Sequence, residues 1–427
     1  MRLELGNFQV KDVAFGPRTR YASGALEIDR DEVMRVVRQD PLIGHASMEI
    51  ARPGESARII HVRDVLEPKV KVAGPGAAYP GIGGRPIETV GQGRTHRLSN
   101  LTVMAVARAG EIRAHGSREW GGHDPSNLFI DMSGPGAISP YASLFNVCVV
   151  MEPSRPTGEQ DHWNGIVQRA LIRVCDLLAK ATVGQEPPEV ETLDTTPKLG
   201  LPGIVYIPML PSPEHRFGPN STLGAAIYGI TRLTQPWLLE PTEMLDGAVC
   251  GTYGAHLTWP LLNTIVLYLC RPHGNGFNFI GCIPCRTNWE AFSEKQLMAN
   301  RAAQMAAKLG AQGAIVTTNI RGQRFVETIL TVQACERAGV KTVLITEEED
   351  DEDGAAPPLL TTMPEVASVV STGTGDARGP FPPVVRVIGA GAIDPKWYGE
   401  QPPVHGRYGT SHLNDVYGFS RYTKADY

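Results

Sequence analysis

FNFIGCI (277–283), EKQLMANRAAQMAAKL (294–309), AIVTT (314–318), FVETILTVQACERA (325–338) and KTVLIT (341–346) follow one another with short connections. The first, third and fifth are apolar runs of strand length. The second and fourth carry apolar residues at helical spacing, and each stops at a glycine, Gly310 and Gly339. Strand, helix, strand, helix, strand with short links predicts parallel strands joined by crossover helices, hence a doubly wound parallel sheet of the α/β class.

Upstream the pattern changes. Short β-type runs at 57–62, 70–72, 102–108 and 128–132 alternate with glycine and proline, which predicts a mostly β N-terminal domain over residues 1–150. WNGIVQRALIRVCDLLAKAT (163–182) places Ile166, Ala170, Val174, Leu177 and Leu178 on one helical face, with Gly184, Pro187 and Pro188 as stop signals. Cys175 lies inside that helix as a small core residue. A strand at 204–209 and a glycine-rich polar segment at 241–263 belong to an α/β middle region, 151–265, and residues 266–427 form the doubly wound domain. Downstream of the quoted stretch, EEEDDED (347–353) reads as a solvated loop, with a cation site made from some of its carboxylates as the alternative. Runs at 365–371 and 384–389 look like further strands, and the tail from His405 is polar and aromatic. No internal repeat is found.

The chain has 427 residues, 42% hydrophobic and 20% charged, enough to bury a large core in two or three domains. A net charge of -5 and a pI near 6.1 give no broad basic field, which argues against nucleic acid or an anionic membrane as the main partner and favours a small molecule or another protein. The opening MRLELGNFQVKDVAFG lacks an apolar signal region, and the sequence holds no apolar run of membrane-spanning length, so a cytoplasmic protein is expected. Seven cysteines, an odd and sparse set (Cys148, Cys175, Cys250, Cys270, Cys282, Cys285, Cys335), point to reduced thiols rather than a disulfide framework.

In an open α/β sheet, ligands bind beyond the carboxyl ends of the strands. That selects CIPCRTN (282–288), TTNIRGQR (317–324) and the acidic run from Glu347. The Cys282–Cys285 spacing allows a reactive thiol pair, two ligands of a metal, or two inert cysteines at a strand end; a zinc site lacks a second ligand pair. Arg286 beside them either lowers a thiol pKa and grips a carboxylate, or makes a surface ion pair. Thr317, Thr318 and Asn319 with the guanidiniums that follow suit an anion, although the P-loop order is absent, and Asn319 alone can close the turn. SGPGA (133–137) is either a tight turn or a place where backbone amides approach a ligand. Glu243, Asp246 and His256 are titratable groups in an otherwise apolar or glycine-rich segment, suited to acid/base work in a closed pocket.

Several stretches occur together in order: LELGNFQVKDV (3–13), ARPGESARII (51–60), VRDVLEPKVKV (62–72), TVGQGRTHRL (89–98), IDMSGPGA (130–137), PTEMLDGA (241–248), GVKTVLITEE (339–348) and YGFSRYT (417–423). In these the chain resembles the proprotein family that supplies the α and β subunits of component B of glycine/sarcosine/betaine reductase. The resemblance implies one polypeptide that cleaves itself at Asn-Cys shortly after the PTE-x-x-DGA segment. The new terminal cysteine becomes a pyruvoyl group that holds the substrate amine, and a selenocysteine-containing partner breaks the C–N bond.

Here the corresponding stretch is DGAVCGTYGAHLTW (246–259), in which no Asn precedes a cysteine and Gly251-Thr252-Tyr253 stands about where the pair falls. Tyrosine lacks the β-nucleophile of an acyl shift; Cys250 has one but lies early. The resemblance together with this departure implies an oxidoreductase subunit in a hetero-oligomeric complex, acting on a small amino-acid-derived substrate without a pyruvoyl cofactor. Its partner is a family-type subunit carrying Cys or selenocysteine. Cys250, Cys282 and Cys285 are the candidate catalytic thiols; Arg286, Thr317, Thr318, Asn319, Glu243, Asp246 and His256 are the candidate substrate-binding groups. A non-catalytic scaffold, or a metal-dependent enzyme using Cys250, His256, Cys282 or Cys285, are the alternatives.

Overall fold

A computed structural model describes residues 1–107, 129–134, 139–155, 160–211, 225–229, 231–251, 257–287, 291–318, 322–349, 357–374, 381–389 and 394–400. It is a mixed α/β architecture with several sheets. In the N-terminal region one sheet orders strands Glu189–Asp194, Arg2–Gln9, Gly93–Ser99 and Lys69–Ala73; a second orders Ile43–Ala51, Phe145–Pro153, Leu101–Ala107 and Val62–Leu66. Leu101–Ala107 (LTVMAVA) is buried throughout because its two faces feed different cores. Leu101, Val103, Ala105 and Ala107 join the large core, whereas Met104 and Val106 pack with Ile59, Ile130 and Leu257. Coverage on both faces is what makes such a strand read as a continuous apolar run.

Helix α1 (Arg30–Val37) starts at Asp29, whose carboxylate accepts from the N–H groups of Asp31 and Glu32. Helix α2 (Gln160–Lys180) buries Ile166, Ala170, Val174, Cys175 and Leu178 along the face its periodicity predicts. Three short helices follow, α3 (Pro241–Leu245), α4 (Thr258–Asn263) and α5 (Ile265–Cys270). Then come α6 (Phe292–Lys308) and α7 (Phe325–Arg337), close to their expected bounds.

The parallel sheet runs Asn278–Cys282, Gly203–Pro211, Ala311–Thr318, Lys341–Glu348, Val369–Thr374, with Cys285–Thr287 also pairing to Gly203–Pro211. Every pairing in it is parallel. Helices α6 and α7 cover one face through Ala302, Ala303, Ala306, Phe325, Ile329 and Val332. On the other face Tyr206, Leu210, Phe279 and Cys282 merge with the large core that also contains Met244 of α3 and Val266 of α5. The sheet thus takes a central strand from residues 203–211, on the N-terminal side of position 266.

The acidic run differs from expectation. Strand Lys341–Glu348 extends into it because Thr346 and Glu348 stay paired with Ser371 and Thr374, Glu347 is buried, and the Glu349 carboxylate accepts from Gly322 N–H at 2.8 Å. Residues 350–353 lie outside the described residues. The strand expected at 384–389 forms as Arg386–Ile388, but it returns to the N-terminal region and pairs parallel to Ala57–Ile60. Arg58, fully buried, holds that return: its guanidinium donates to the carbonyls of Trp397, Pro382 (2.9 Å) and Gly399 (2.9 Å) and ion-pairs with Asp131 at 3.2 Å. At the start of SGPGA, Ser133 and Gly134 adopt left-handed conformations and Gly134 N–H donates to the Glu55 carbonyl at 3.2 Å; residues 135–137 lie outside the described residues. Among the described residues no helix is long and apolar enough to cross a membrane.

Candidate functional site

VRDVLEPKVKV forms two strands, Val62–Leu66 and Lys69–Ala73, because Pro68 interrupts the ladder between them. Strand Gly93–Ser99 pairs antiparallel to the second. Against them lies α3, whose Pro241 occupies the first turn and whose Glu243 carboxylate reaches back to accept from Glu240 N–H at 2.7 Å. The helix ends at Asp246, and Gly247 takes φ 87° so that the chain can turn under the Tyr79 ring, where a Cβ would collide.

Asp246 is fully buried. Its carboxylate accepts from the Lys71 ammonium, from Gly91 N–H at 2.8 Å and from the Thr95 hydroxyl at 2.6 Å. Beside it, Lys69 donates to the Leu245 carbonyl at 2.9 Å and to Asn263 Oδ1 at 3.2 Å, and lies 3.3 Å from Glu67 Oε2. Arg97 approaches the same Glu67 oxygen at 3.8 Å. Burial pulls the Lys69 ammonium below its usual range, and the Glu67 carboxylate opposes that pull. Three cations thus share two carboxylates in a region nearly closed to water, with the surplus charge spread onto neutral oxygens.

Two tyrosines grip the same segment from left-handed conformations, Tyr79 (φ 55°) and Tyr228 (φ 54°). Tyr79 N–H donates to the Asp246 carbonyl at 2.9 Å and Tyr228 N–H to the Ala248 carbonyl at 2.7 Å. The Tyr228 hydroxyl donates to the Glu243 carboxylate and accepts from Val90 N–H. Burial raises the Glu243 carboxyl, against these donors. Bulky residues at positive φ persist only where surrounding contacts over-determine them, and such strain gathers at functional sites.

Cys250 follows in the short strand Val249–Cys250, paired with Ala226–Ile227. Its thiol is buried and lies near Thr258, which is bound to Asp64. His256, grouped with Glu243 and Asp246 in the sequence, is outside the described residues. The structure does bring Glu243 and Asp246 to the two ends of one helical turn, each with its own set of donors.

The other candidate residues gather at the carboxyl edge of the parallel sheet. Arg286 Nε and Lys295 Nζ each lie 3.7 Å from the Glu327 carboxylate, all three side chains being buried. Thr317 and Thr318 are buried at the end of their strand, and the Thr317 hydroxyl bonds with Tyr206 OH at 2.9 Å; Asn319 lies outside the described residues. Cys282 and Cys285 enter different cores, Cys282 with α3 and α5 and Cys285 with α6 and α7. All seven cysteines are free and buried, and burial pushes every thiol up, Cys250, Cys282 and Cys285 well above the usual range. In this conformation they are thiols rather than thiolate nucleophiles. Among the described residues no group of three or more His, Cys, Asp or Glu side chains is placed to hold a metal.

Asp64, Glu67, Lys69, Lys71, Thr95, Lys295, Glu327 and the two strained tyrosines are absent from the candidates drawn from sequence. One signal for them is the density of charge in 62–72, five ionisable groups in a stretch otherwise apolar enough to be buried. Another is that 62–72, 89–98 and 241–248, three of the stretches that carry the family resemblance, meet at this cluster.

A sequence profile described as "Glycine/sarcosine/betaine reductase component B subunits" matches residues 1–401. The chain is 32% identical over 409 residues to the sarcosine reductase complex component B subunit alpha of Peptoclostridium acidaminophilum, covering 91% of this chain and 89% of the relative. It is 32% identical over 407 residues to the betaine reductase complex component B subunit alpha of the same organism, covering 91% and 88%. It is 30% identical over 409 residues to the glycine reductase complex component B subunits alpha and beta of Acetoanaerobium sticklandii, covering 91% and 89%. No solved structure matches the chain. The chain belongs to the glycine/sarcosine/betaine reductase component B family.

Proposed function

We propose that this component B family member is a subunit of a reductase complex acting on a small amino-acid-derived carboxylate, and that it works as an intact chain without a pyruvoyl group. The family match over residues 1–401 is the observation that carries the reading. Relatives are named for sarcosine, betaine and glycine, three molecules that share a carboxylate one carbon away from nitrogen and differ in N-methylation. A protein serving that class needs a carboxylate-binding group. Arg286, with its planar donor fork at the carboxyl edge of the parallel sheet and Thr317 and Thr318 nearby, suits that task.

The residues present do not fit the family's pyruvoyl group. No Asn precedes a cysteine, and the cysteine nearest the segment, Cys250, has its thiol packed in the core and held protonated. An acyl shift at Val249–Cys250 needs the thiolate to reach the preceding carbonyl, and that peptide is engaged in a β-ladder. Without a carbonyl to capture an amine, hydrogen bonds and ion pairs orient the substrate. That requirement is the same for a quaternary nitrogen, which forms no Schiff base. The burial of Cys250, Cys282 and Cys285 further supports a partner subunit as the source of the nucleophilic sulfur or selenium.

Intact mass of the purified chain tests the first half of the proposal. A single species near 46.2 kDa is expected, and two fragments, the later one blocked at its N-terminus, overturn it. Co-expression with the adjacent reductase subunit tests the second half. Arg286→Gln is expected to raise KM for the carboxylate substrate while the complex still assembles; a Cys282→Ser or Cys285→Ser complex that binds substrate but does not turn over moves the nucleophile to this chain. A second reading, a scaffold that shapes a partner's site, draws support from the closure of the Lys69–Asp246 cluster by its own partners. It predicts full activity in all three variants.

A further inference from the structure

Asp64 stands at the junction of three elements. It belongs to strand Val62–Leu66 and is 2% exposed. Four donors surround its carboxylate: Val65 N–H at 2.8 Å and Thr258 N–H at 2.9 Å on Oδ1, the Thr258 hydroxyl at 2.9 Å and Gln168 Nε2 of α2 at 3.4 Å on Oδ2. All four are neutral, in contrast to the ammonium that meets Asp246.

The Thr258 hydroxyl is shared. It lies 2.9 Å from Asp64 Oδ2 and 3.0 Å from the Gly251 carbonyl oxygen, and it accepts from Gly251 N–H at 3.1 Å. A hydroxyl carries one proton and two acceptor positions, so it donates to one of those oxygens at a time. Beside an ionised Asp64, which can only accept, the proton points at Oδ2 and the Gly251 carbonyl loses that donor. Beside a protonated Asp64, Oδ2 donates to Thr258 Oγ1 and the hydroxyl turns to the Gly251 carbonyl. Its capacity is then filled, with Asp64 and Gly251 N–H donating to it and Gly251 C=O accepting from it.

We propose that Asp64 is a positioning residue that acts through the Thr258 hydroxyl, switching the hydrogen bonding of Thr258 with Gly251 between two arrangements as its own proton comes and goes. Gly251 begins the place where the family resemblance implies a cleavage pair and this chain reads Gly-Thr-Tyr. The device stands independently of the reductase reading. Burial brings the switch to ordinary pH by pushing the Asp64 carboxyl up to about 7, the surrounding donors opposing the rise. The titratable groups that feel its charge are Tyr79, Tyr141 of the turn at 140–143, Cys175 of α2 and Cys250 of the 249–250 strand; burial raises each of them, so none competes for the proton near neutrality. Arg85 is the cation acting on Cys175 and Cys250.

The test uses the full chain, wild type and the variants Asp64→Asn, Thr258→Ser and Thr258→Val. Infrared difference spectra across neutral pH are expected to show a buried protonated carboxyl titrating with a midpoint near 7 in wild type and in Thr258→Ser, and to lack it in Asp64→Asn. The carbonyl-carbon chemical shift of Gly251 is expected to move with the same midpoint in wild type and Thr258→Ser, and to stay fixed in Asp64→Asn and Thr258→Val. If Thr258→Val does not fold, the Asn and Ser variants decide the outcome alone. A Gly251 shift that ignores pH in wild type, or that still steps near neutrality in Asp64→Asn, overturns the proposal.

Discussion

The charged cluster between residues 62–97 and 241–258 and the carboxyl edge of the parallel sheet solve opposite problems. The sheet edge is assembled by topology: once strands 203–211, 278–282 and 311–318 lie parallel, their last residues and the first turns of α6 and α7 converge whatever those residues are. Arg286, Lys295, Thr317 and Thr318 arrive there by position. The cluster is assembled by partner choice. Lys71 and Asp246 are 175 residues apart, on elements that no general rule of α/β topology brings together, and their burial depends on each meeting the other. The edge is therefore placed by topology and the cluster by its partners, although buried charges constrain both, since Arg286 and Lys295 each lie beside Glu327.

Breaking that comparison starts with its strongest contrast. Asp246→Ala leaves the Lys71 ammonium, 3% exposed, without its carboxylate, and about 3–5 kcal/mol of stability is expected to go. Urea or guanidinium unfolding measures it; a loss below about 1 kcal/mol refutes the claim that the cluster rests on this pair. Next is the acidity of Asp64. Its folded pKa of about 7 lies above the ordinary 3.8, so the folded state binds a proton that the unfolded chain has already released. This contribution is fully present below about pH 4 and is lost as pH rises through 7, a difference on the order of 4 kcal/mol. Asp64→Asn is expected to flatten that part of the pH–stability curve, and an unchanged slope contradicts the assignment.

Smaller effects sharpen the contrast. Gly247→Ala places a side chain at φ 87° under the Tyr79 ring and is expected to cost about 2 kcal/mol, while Gly310→Ala, also at positive φ but with open space around it, costs about half as much. Thermal unfolding compares the two, and equal costs remove the special role of the Tyr79 contact. At the sheet edge, Arg286→Lys is expected to change stability little and to weaken carboxylate binding about tenfold, near 1.4 kcal/mol. Calorimetry with betaine, sarcosine and glycine measures it, and unchanged affinity for all three withdraws Arg286 from the substrate.

The same contrast explains what the sequence made legible. The helices at 163–182, 294–309 and 325–338 and the strands between them form within a few residues of their expected bounds, because hydrophobic period is a local signal. Glu243 and Asp246 were visible as charges in an apolar or glycine-rich segment, and Arg286 by its place beside the Cys-x-x-Cys pair at a strand end. Lys69, Lys71, Thr95 and Asp64 were not, since alternation within a strand predicts which side chains share a face and says nothing about the distant segment that covers it. The Cys-x-x-Cys spacing suggested proximity, but the pleat at the end of strand 278–282 sends one sulfur to each side of the sheet. The acidic run at 347–353 looked unfit to pack, and strand pairing to residues 371 and 374 carried its beginning into the fold.

Arg58 and Trp397 are 339 positions apart, yet the guanidinium of one is closed by the carbonyl of the other, and Trp397 stacks edge-on against Phe129 at 5.6 Å. During synthesis, then, a nascent chain that has emptied its first three hundred residues into the cell still carries an open seam in its first hundred. The strand at 57–60 waits for residues 386–388, and Arg58 stays without its carbonyl partners until residues 382–399 have been made. Folding of this region is bound to the slow, non-local end of the kinetic range. A premature stop near codon 380 should therefore present itself as a lesion at residues 57–60.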